Sequence, residues 1–282
     1  MAAGRGTPAR TMPLGTRVGR AILPIYTGLV VVYLFLPILV MAVFGFNDIE
    51  GRFNFTWQGF TFEHWQNVFN RYPALNESLI NSLTVAVVST LVATTFGTLI
   101  GLALTRYDFR GRAPLNLLIF LPIATPEIVL GASLLALFIS AGVARDLTTI
   151  TIAHIMFNIS FVVVTVRARI AGFDRALEEA AMDLGADEWA TFRKVTFPLI
   201  FPGILAAALL AFALSIDDFV ISQFTAGQTI TFPLWVYGAS RIGVPPQVNV
   251  MGTLIFLIAL VGIVLWLLLQ RRDAAMLQRP TA

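Results

Sequence analysis

The sequence has no cysteine, a single lysine and few charged residues. Without cysteine, the chain cannot contain a disulfide framework, a thiolate metal site or a cysteine nucleophile. A phosphate-binding loop of the form GxxxxGK[ST] needs a lysine after a glycine, but Lys194 follows Arg193, so this chain has no such loop. Charged residues make up 12% of the chain, against about 25% in soluble domains. With 57% hydrophobic residues and a mean hydropathy of +0.81, the chain is predicted to be a membrane protein.

The apolar runs have the length of membrane-spanning helices rather than of the alternating strands of a barrel. We therefore predict an all-α membrane protein with six transmembrane helices. The predicted spans are 22–45, 78–105, 114–141, 148–167, 197–217 and 247–269. The first apolar stretch is uncharged from Ala21 to Asn47. It is much longer than the roughly 7–15 residues of a signal-peptide core, so we interpret it as a span.

The distribution of basic residues predicts the orientation of the spans, because arginine and lysine concentrate on the cytoplasmic side. Six spans with a cytoplasmic N-terminus leave only four basic residues outside, namely Arg52, Arg71, Arg145 and Arg241. A seventh span over 219–240 would move the C-terminal arginines across the membrane, so we reject it. The loops 46–77 and 218–246 are then external. The basic residues flank spans and form no single patch, so no nucleic-acid partner is expected.

This topology divides the chain into three predicted parts. Residues 1–20 form a flexible cytoplasmic tail, residues 21–270 form the membrane domain, and residues 271–282 form a second cytoplasmic tail. Small residues within the second span, Gly97 among them, predict close packing of that helix against its neighbours.

The longest polar passage between apolar segments runs from Glu178 to Pro202 and is acid-rich in its first half. Gly185 predicts the end of a first helix, and Asp187 can cap a second one. The result is a helical hairpin with a narrow face that carries Ala180 and Ala181. Such a face suits a groove on a partner protein. The alternatives are a plain connector or a helix lying on the inner leaflet, although acidic side chains are repelled by anionic lipid.

Three acids near the spans are candidates for a substrate path, because an acid inside a span is costly and marks a functional site by default. They are Glu127, Asp217 and Asp218. Glu127 could instead be satisfied by a neighbouring helix. Adjacent helical residues point about 100° apart, so we expect at most one acid of the Asp217–Asp218 pair to face a path while the other caps or pairs.

Aromatic residues near these acids could hold ammonium groups by cation–π contact or pack against methylene chains. The candidates are Phe219, Trp235 and Tyr237. The alternative is that they anchor the chain at the membrane interface. His154 and Asn158 are spaced i, i+4, and we expect them to make helix–helix hydrogen bonds rather than to line the path.

One motif in the polar passage resembles that of a known family. Glu179-Ala180-Ala181, three residues, Gly185, nine residues, Val195, one residue and Phe197-Pro198 resemble the EAA motif of permease subunits of ATP-binding-cassette (ABC) importers. Val195 and Phe197 stand where the family usually has Ile and Leu. The resemblance implies that the loop 170–196 carries a cytoplasmic coupling helix that docks on an ATP-binding subunit. The implied coupling residues are Glu178, Glu179, Ala180, Ala181, Leu184, Gly185 and Pro198.

A finer resemblance is to the polyamine-transport branch. It is carried by the stretches RYDFRG (106–111), PEIVLG (126–131), SIDDFVIS (215–222) and GVPPQVN (243–249). It implies import of a small cationic solute such as spermidine or putrescine. The alternatives are a related importer for a metal ion, an anion or an amino-acid derivative, and a secondary transporter. An intramembrane protease of the EExxxR type would need arginine at the position of Asp183.

The same resemblance implies the partners. They are a second homologous permease subunit, two ATP-binding subunits, an extracytoplasmic solute-binding protein and the membrane lipid. ATP and magnesium would bind the ATP-binding subunits, so the chain is expected to be neither an enzyme nor a holder of a cofactor or metal. The expected location is the prokaryotic plasma (inner) membrane, with multiple spans.

Overall fold

The structure is a computed structural model that describes residues 14–51 and 53–277, and most of these residues are helical. The helices are α1 (Leu14–Phe44), α2 (Glu63–Gln66), α3 (Pro73–Arg106), α4 (Arg112–Ala124), α5 (Glu127–Ser140), α6 (Leu147–Ala171), α7 (Ala176–Asp183), α8 (Glu188–Thr191), α9 (Phe197–Ile216), α10 (Val220–Thr225), α11 (Phe232–Ile242) and α12 (Pro246–Leu277). A π-helical turn, Phe192–Thr196, joins α8 to α9. The predicted all-α class is confirmed.

Four stretches of the described residues are long and apolar enough to cross a membrane. They are Ile22–Phe44, Pro73–Arg106, Leu147–Ala171 and Glu188–Ile216. The bent pair α4–α5 makes up to five, and α12 contains a shorter apolar stretch, Pro246–Gly262. The count of six spans therefore stays a prediction.

The predicted tails only partly fall on described residues. Helix α1 begins at Leu14, within the range 1–20 that we expected to be a flexible tail. Helix α12 continues to Leu277, within the predicted tail 271–282. Residues 1–13 and 278–282 lie outside the described part of the chain.

The chain divides into two compact units, and the first comprises residues 1–68 and 243–282. Here α1 packs on α12, with the rings of Phe35 and Phe256 6.0 Å apart. The loop after α1 is organised around Asn47, which is fully buried. The Asn47 side chain donates to Asn54 Oδ1 (2.6 Å) and accepts from the backbone N–H of Gln58 (2.7 Å). These side-chain hydrogen bonds stabilise the part of the loop that lies between α1 and α2.

The second unit, residues 69–242, is built on α3, α6 and α9, which pack against one another. A Cβ added at Gly97 of α3 would lie 2.6 Å from Val162 Cγ1 of α6. Only a residue without a side chain allows this approach, which confirms the packing predicted for Gly97. Ile200 and Ala207 of α9 join the same fully buried cluster.

The predicted third span is not one straight helix. Helices α4 and α5 meet at an angle of 110°. Pro126 has no N–H to continue α4, and its ring disfavours the helical conformation for the preceding residue. Thr125 accordingly adopts an extended conformation, with φ −84° and ψ 133°.

The region 218–246, predicted as a polar loop, is also largely helical in the structure. It contains α10 and α11, and α10 packs on α5. The close contact is at Gly131, where an added Cβ would lie 2.6 Å from the ring of Phe224. Because Ile221, Ser222 and Thr225 are buried, α10 belongs to the packed core of the second unit.

Candidate functional site

The predicted hairpin is present, and its turns are determined by local residues. Gly185 lies just after the C-terminus of α7 and has φ +88°, a conformation that favours glycine. The backbone N–H groups of Gly185 and Ala186 donate to the carbonyl groups of Met182 (2.9 Å) and Ala181 (3.1 Å). This pair of bonds is a Schellman motif, which closes the C-terminus of the helix. Asp187 then caps α8 by accepting from the N–H of Ala190 at 2.6 Å.

The outer face of α7 is open. Glu179 and Ala180 are exposed, and Ala181 is partly buried. Two leucines flank this small-residue surface, Leu177 with 51% of its surface exposed and Leu184 with 91%. We call the residues Leu177, Glu179, Ala180, Ala181 and Leu184 the hairpin face.

The two adjacent glutamates of the hairpin have different surroundings. Glu178 is only 6% exposed and points into the chain, whereas Glu179 is exposed. Arg106, at the end of α3, binds the Glu178 carboxylate with both terminal nitrogens, and its Nη2 lies 2.6 Å from Oε1. The Thr196 hydroxyl donates to the same carboxylate.

These contacts control the charge of Glu178. Burial alone would raise its pKa, but the hydrogen bonds from Arg106 and Thr196 and the charges of Arg106 and Arg175 outweigh that effect. The pKa of Glu178 is therefore lowered from its ordinary value, and the group is a carboxylate at neutral pH. Its charge is satisfied within this chain.

Helix α9 begins at Phe197, where the predicted fifth span 197–217 begins, and Pro198 lies in its first turn. One helical stretch nevertheless continues from Glu188 to Ile216. Pro198 has no N–H to donate to the carbonyl of Lys194, four residues earlier. The backbone instead forms the π-helical turn, in which the N–H of Phe197 donates to the carbonyl of Phe192. Thr196 is the last residue of this turn.

Asp217 and Asp218 divide as expected, with one exposed and the other capping and pairing. Asp218 Oδ2 lies 3.2 Å from Nε2 of His154, and both side chains are almost fully buried. The Asp218 carboxylate also accepts from the backbone N–H groups of Ile221 (3.2 Å) and Ser222 (2.8 Å), which caps α10. Asp217 is exposed. Of the pair, only Asp217 has an exposed carboxylate.

Glu127 lies at the bend between α4 and α5, as the first residue of α5. It is exposed. A carboxylate in the first turn of a helix interacts favourably with the helix dipole. The helix dipole therefore gives one explanation for an acid at position 127, and a path for a cationic solute would give a second.

Two of the three candidate aromatic residues are in contact. The rings of Phe219 and Tyr237 have centroids 4.6 Å apart, and Trp235 instead lies 6.4 Å from Tyr72. The guanidinium of Arg241 lies over the Tyr237 ring at 4.7 Å. The sequence analysis missed Arg241 as a contact of this group, although its i, i+4 spacing from Tyr237 could have indicated it.

A buried polar network connects the core helices of the second unit. Asn158 donates to Ser215 Oγ at 2.7 Å, and Ser215 Oγ lies 2.9 Å from Ser89 Oγ. His154 Nε2 lies 3.3 Å from Ser222 Oγ. The helix–helix hydrogen bonds expected for His154 and Asn158 are confirmed. Within residues 14–51 and 53–277, no three histidine or acidic side chains come together to hold a metal ion.

The fold resembles that of solved ABC transporters. A bacterial ABC transporter involved in the import of the acidic polysaccharide alginate matches with a TM-score of 0.66 at 17% identity, over 93% of this chain and 99% of that chain. The likeness covers nearly the whole of both chains, so the two share a fold.

Sequence comparison identifies the family more closely. Residues 93–275 match the family model of the binding-protein-dependent transport system inner membrane component, and the chain belongs to this family. It is 38% identical to the spermidine/putrescine transport system permease protein PotC of Escherichia coli, over 88% of this chain and 93% of that protein. It is 34% identical to the E. coli putrescine transport system permease protein PotI, over 86% and 88%.

Proposed function

We propose that this chain is a permease subunit of an ABC importer for polyamines of the spermidine and putrescine class. The observation that carries the proposal is its 38% identity, over nearly its whole length, to a spermidine/putrescine permease. The 34% identity to a putrescine permease supports the same substrate class.

The hairpin face is the proposed docking surface for an ATP-binding subunit. Because the chain has no phosphate-binding loop, ATP hydrolysis must occur on separate subunits. The exposed Glu179, Ala180 and Leu184 present a charged, narrow and partly apolar surface that fits a groove on such a subunit. Gly185 shapes the turn, and Pro198 leads the chain back into α9.

The proposed path for the solute runs past Asp217 and the Phe219–Tyr237 pair. A polyamine carries ammonium groups separated by methylene chains. An exposed carboxylate can neutralise an ammonium group, and aromatic faces bind the cation or pack against its methylenes. Glu127 is a second carboxylate for such a path. Asp218 has a structural role in this proposal, because its carboxylate pairs with His154 and caps α10.

The proposed assembly contains more than this chain. A second homologous permease subunit completes the path, two ATP-binding subunits dock on the hairpins, and an extracytoplasmic binding protein delivers the solute. ATP binding would draw the two hairpins together and reorient the spans as rigid bodies.

Reconstitution in lipid vesicles tests the proposal. The chain is combined with its partner permease, the ATP-binding subunits and the binding protein, and uptake of labelled spermidine is measured with and without ATP. We expect ATP-dependent uptake that excess putrescine competes away, while divalent metal ions, anions and amino acids do not. Uptake by this chain alone, driven by an ion gradient, would refute the proposal. Competition by another solute class would reassign the substrate.

A paired variant tests the role of the hairpin face. Glu179→Ala combined with Gly185→Asp should abolish ATP-dependent uptake while membrane insertion is unchanged. Glu188→Ala, which removes an exposed acid from the adjacent α8, is the matched control and should keep uptake. Equal uptake by the two variants would contradict the coupling role.

A further inference from the structure

The hairpin face must be connected rigidly to the spans if docking is to move them, and Glu178 makes that connection. Glu178 belongs to α7, Arg106 to the end of α3, and Thr196 to the π-helical turn at the start of α9. The carboxylate binds both partners at once. A single buried side chain therefore joins the hairpin to two core helices that pack on each other.

The surroundings of this group favour a fixed geometry. A planar guanidinium that binds both oxygens of a carboxylate constrains orientation as well as distance. Arg106 also lies over the ring of Phe173, 5.9 Å from its centroid, which holds the guanidinium from another side. A single-point contact would let α7 pivot, whereas this arrangement resists rotation.

The π-helical turn provides the third attachment. Thr196 is 3% exposed, and its hydroxyl is directed to Glu178 rather than to a backbone carbonyl. Such turns are rare and occur frequently at functional sites. Here Pro198 supplies the local cause of the turn, and the bond to Glu178 supplies a use for it. A displacement of α7 is thereby transmitted directly to the first turn of α9.

The other side of the ion pair is open space. A cavity of about 340 Å³ borders Arg106, Glu178 and Thr196, and its wall includes Thr191, whose buried hydroxyl oxygen has no hydrogen-bond partner within the described residues. Apolar packing therefore does not fill the space beside this ion pair. On this side, the polar contacts of Glu178 rather than apolar packing hold α7 in its orientation.

We propose that Glu178 is the positioning residue of the coupling hairpin, and that its bonds to Arg106 and Thr196 transmit the movement of α7 into α3 and α9. The proposal rests on the proposed function, and it assigns Glu178 and Glu179 different roles. Glu179 contacts the ATP-binding subunit, whereas Glu178 contacts neither that subunit nor the solute and acts through the spans.

Glu178→Gln tests this role, because glutamine keeps the shape of the side chain and removes its charge. Glu188→Gln, the same change at an exposed site on α8, is the control. We expect Glu178→Gln to co-purify with the ATP-binding subunits as the wild type does. The spermidine concentration that gives half-maximal stimulation of ATP hydrolysis should also be unchanged. The number of ATP molecules hydrolysed per spermidine imported should rise several-fold, because the movement of α7 would no longer reach α3 and α9.

A charge exchange separates positioning from a merely structural role. Arg106→Glu combined with Glu178→Arg can re-form the ion pair with its charges exchanged, and it should restore coupling more than either single change does. A wild-type ratio of ATP to spermidine in Glu178→Gln would overturn the proposal, as would a double variant no better than the single ones.

A measurement without transport keeps this test independent of the proposed function. Amide hydrogen exchange over Ala176–Asp183 should be about tenfold faster in Glu178→Gln than in the wild-type chain, and unchanged in Glu188→Gln. Unchanged exchange in Glu178→Gln would overturn the positioning role whether or not the vesicles import spermidine. Absence of ATP-driven uptake by the wild-type complex would instead refute the proposed function.

Discussion

Substitution of Gly185 by alanine should weaken docking of the ATP-binding subunit. Gly185 has φ +88°, and an added Cβ meets no atom within 4 Å. The cost of alanine there is thus one of backbone conformation alone, about 1–2 kcal/mol for an L-residue in the left-handed region. We expect docking to require the turn seen here, whereas the free hairpin of the variant can relax to another turn. Binding must then restore the strained turn, so affinity should fall about 5–30-fold.

Two further variants control for this reasoning. Gly172 lies in the same polar region, has φ −87° and has no atom closer than 3.8 Å to an added Cβ. Gly172→Ala should therefore leave the affinity unchanged. Gly185→Asn should lose less than Gly185→Ala, because asparagine tolerates the left-handed conformation better. The assay is titration of the purified permease complex with the ATP-binding subunit. Equal affinities for Gly185→Ala and Gly172→Ala would refute the argument.

Three more predictions concern stability and pH. Asp218→Ala should lower the thermal unfolding midpoint in detergent, because it removes a buried charged acceptor and a helix cap. The loss in the free energy of unfolding should be about 2 kcal/mol. Asp217→Ala should instead leave the midpoint unchanged and reduce spermidine uptake. The pKa of Glu178 is lowered from 4.5, so its contribution to hairpin stability is complete above about pH 4.5 and is lost as pH falls through the lower folded value. Hydrogen exchange of α7 should show this loss in the wild type, and Glu178→Gln should remove it. Gly97→Ala should cost about 1–3 kcal/mol by overpacking α3 against α6. Gly28 of α1 has open space around it, and alanine is favoured over glycine in a helix by about 0.5–1 kcal/mol, so Gly28→Ala should not lower the unfolding temperature. A smaller loss at Gly97 than at Gly28 would contradict the packing argument.

Local signals predicted the hairpin well. Gly185 and Asp187 were expected to end one helix and begin another, and the structure places a Schellman turn and a helix cap there. Such signals depend on a few neighbouring residues, so they can be read without knowledge of the rest of the chain. The packing role of Gly97 was predicted in the same way.

Predictions that needed the chain path were less complete. The sequence analysis predicted one span over 114–141, and it predicted neither the 110° bend at Pro126 nor the packing of α10 against α5. The region 218–246 was expected to be an external loop because a seventh span there would move the C-terminal arginines across the membrane. It contains glutamine, glycine and proline residues, which suit a lipid-facing helix poorly. Within a protein core those groups find partners, and composition alone does not distinguish the two environments.

The sequence by itself determined the class of protein, the long apolar helices and the family motif in the hairpin, since composition, periodicity and spacing are properties of the chain alone. Only the tertiary structure decided the surroundings of adjacent acids. Glu178 and Glu179 differ by one position, and the difference arises because Arg106, 72 residues earlier, reaches one and not the other. Asp218 is likewise distinguished from Asp217 by His154 on another helix. A buried charge is stabilised by the group placed against it, and only the folded chain brings that group into contact.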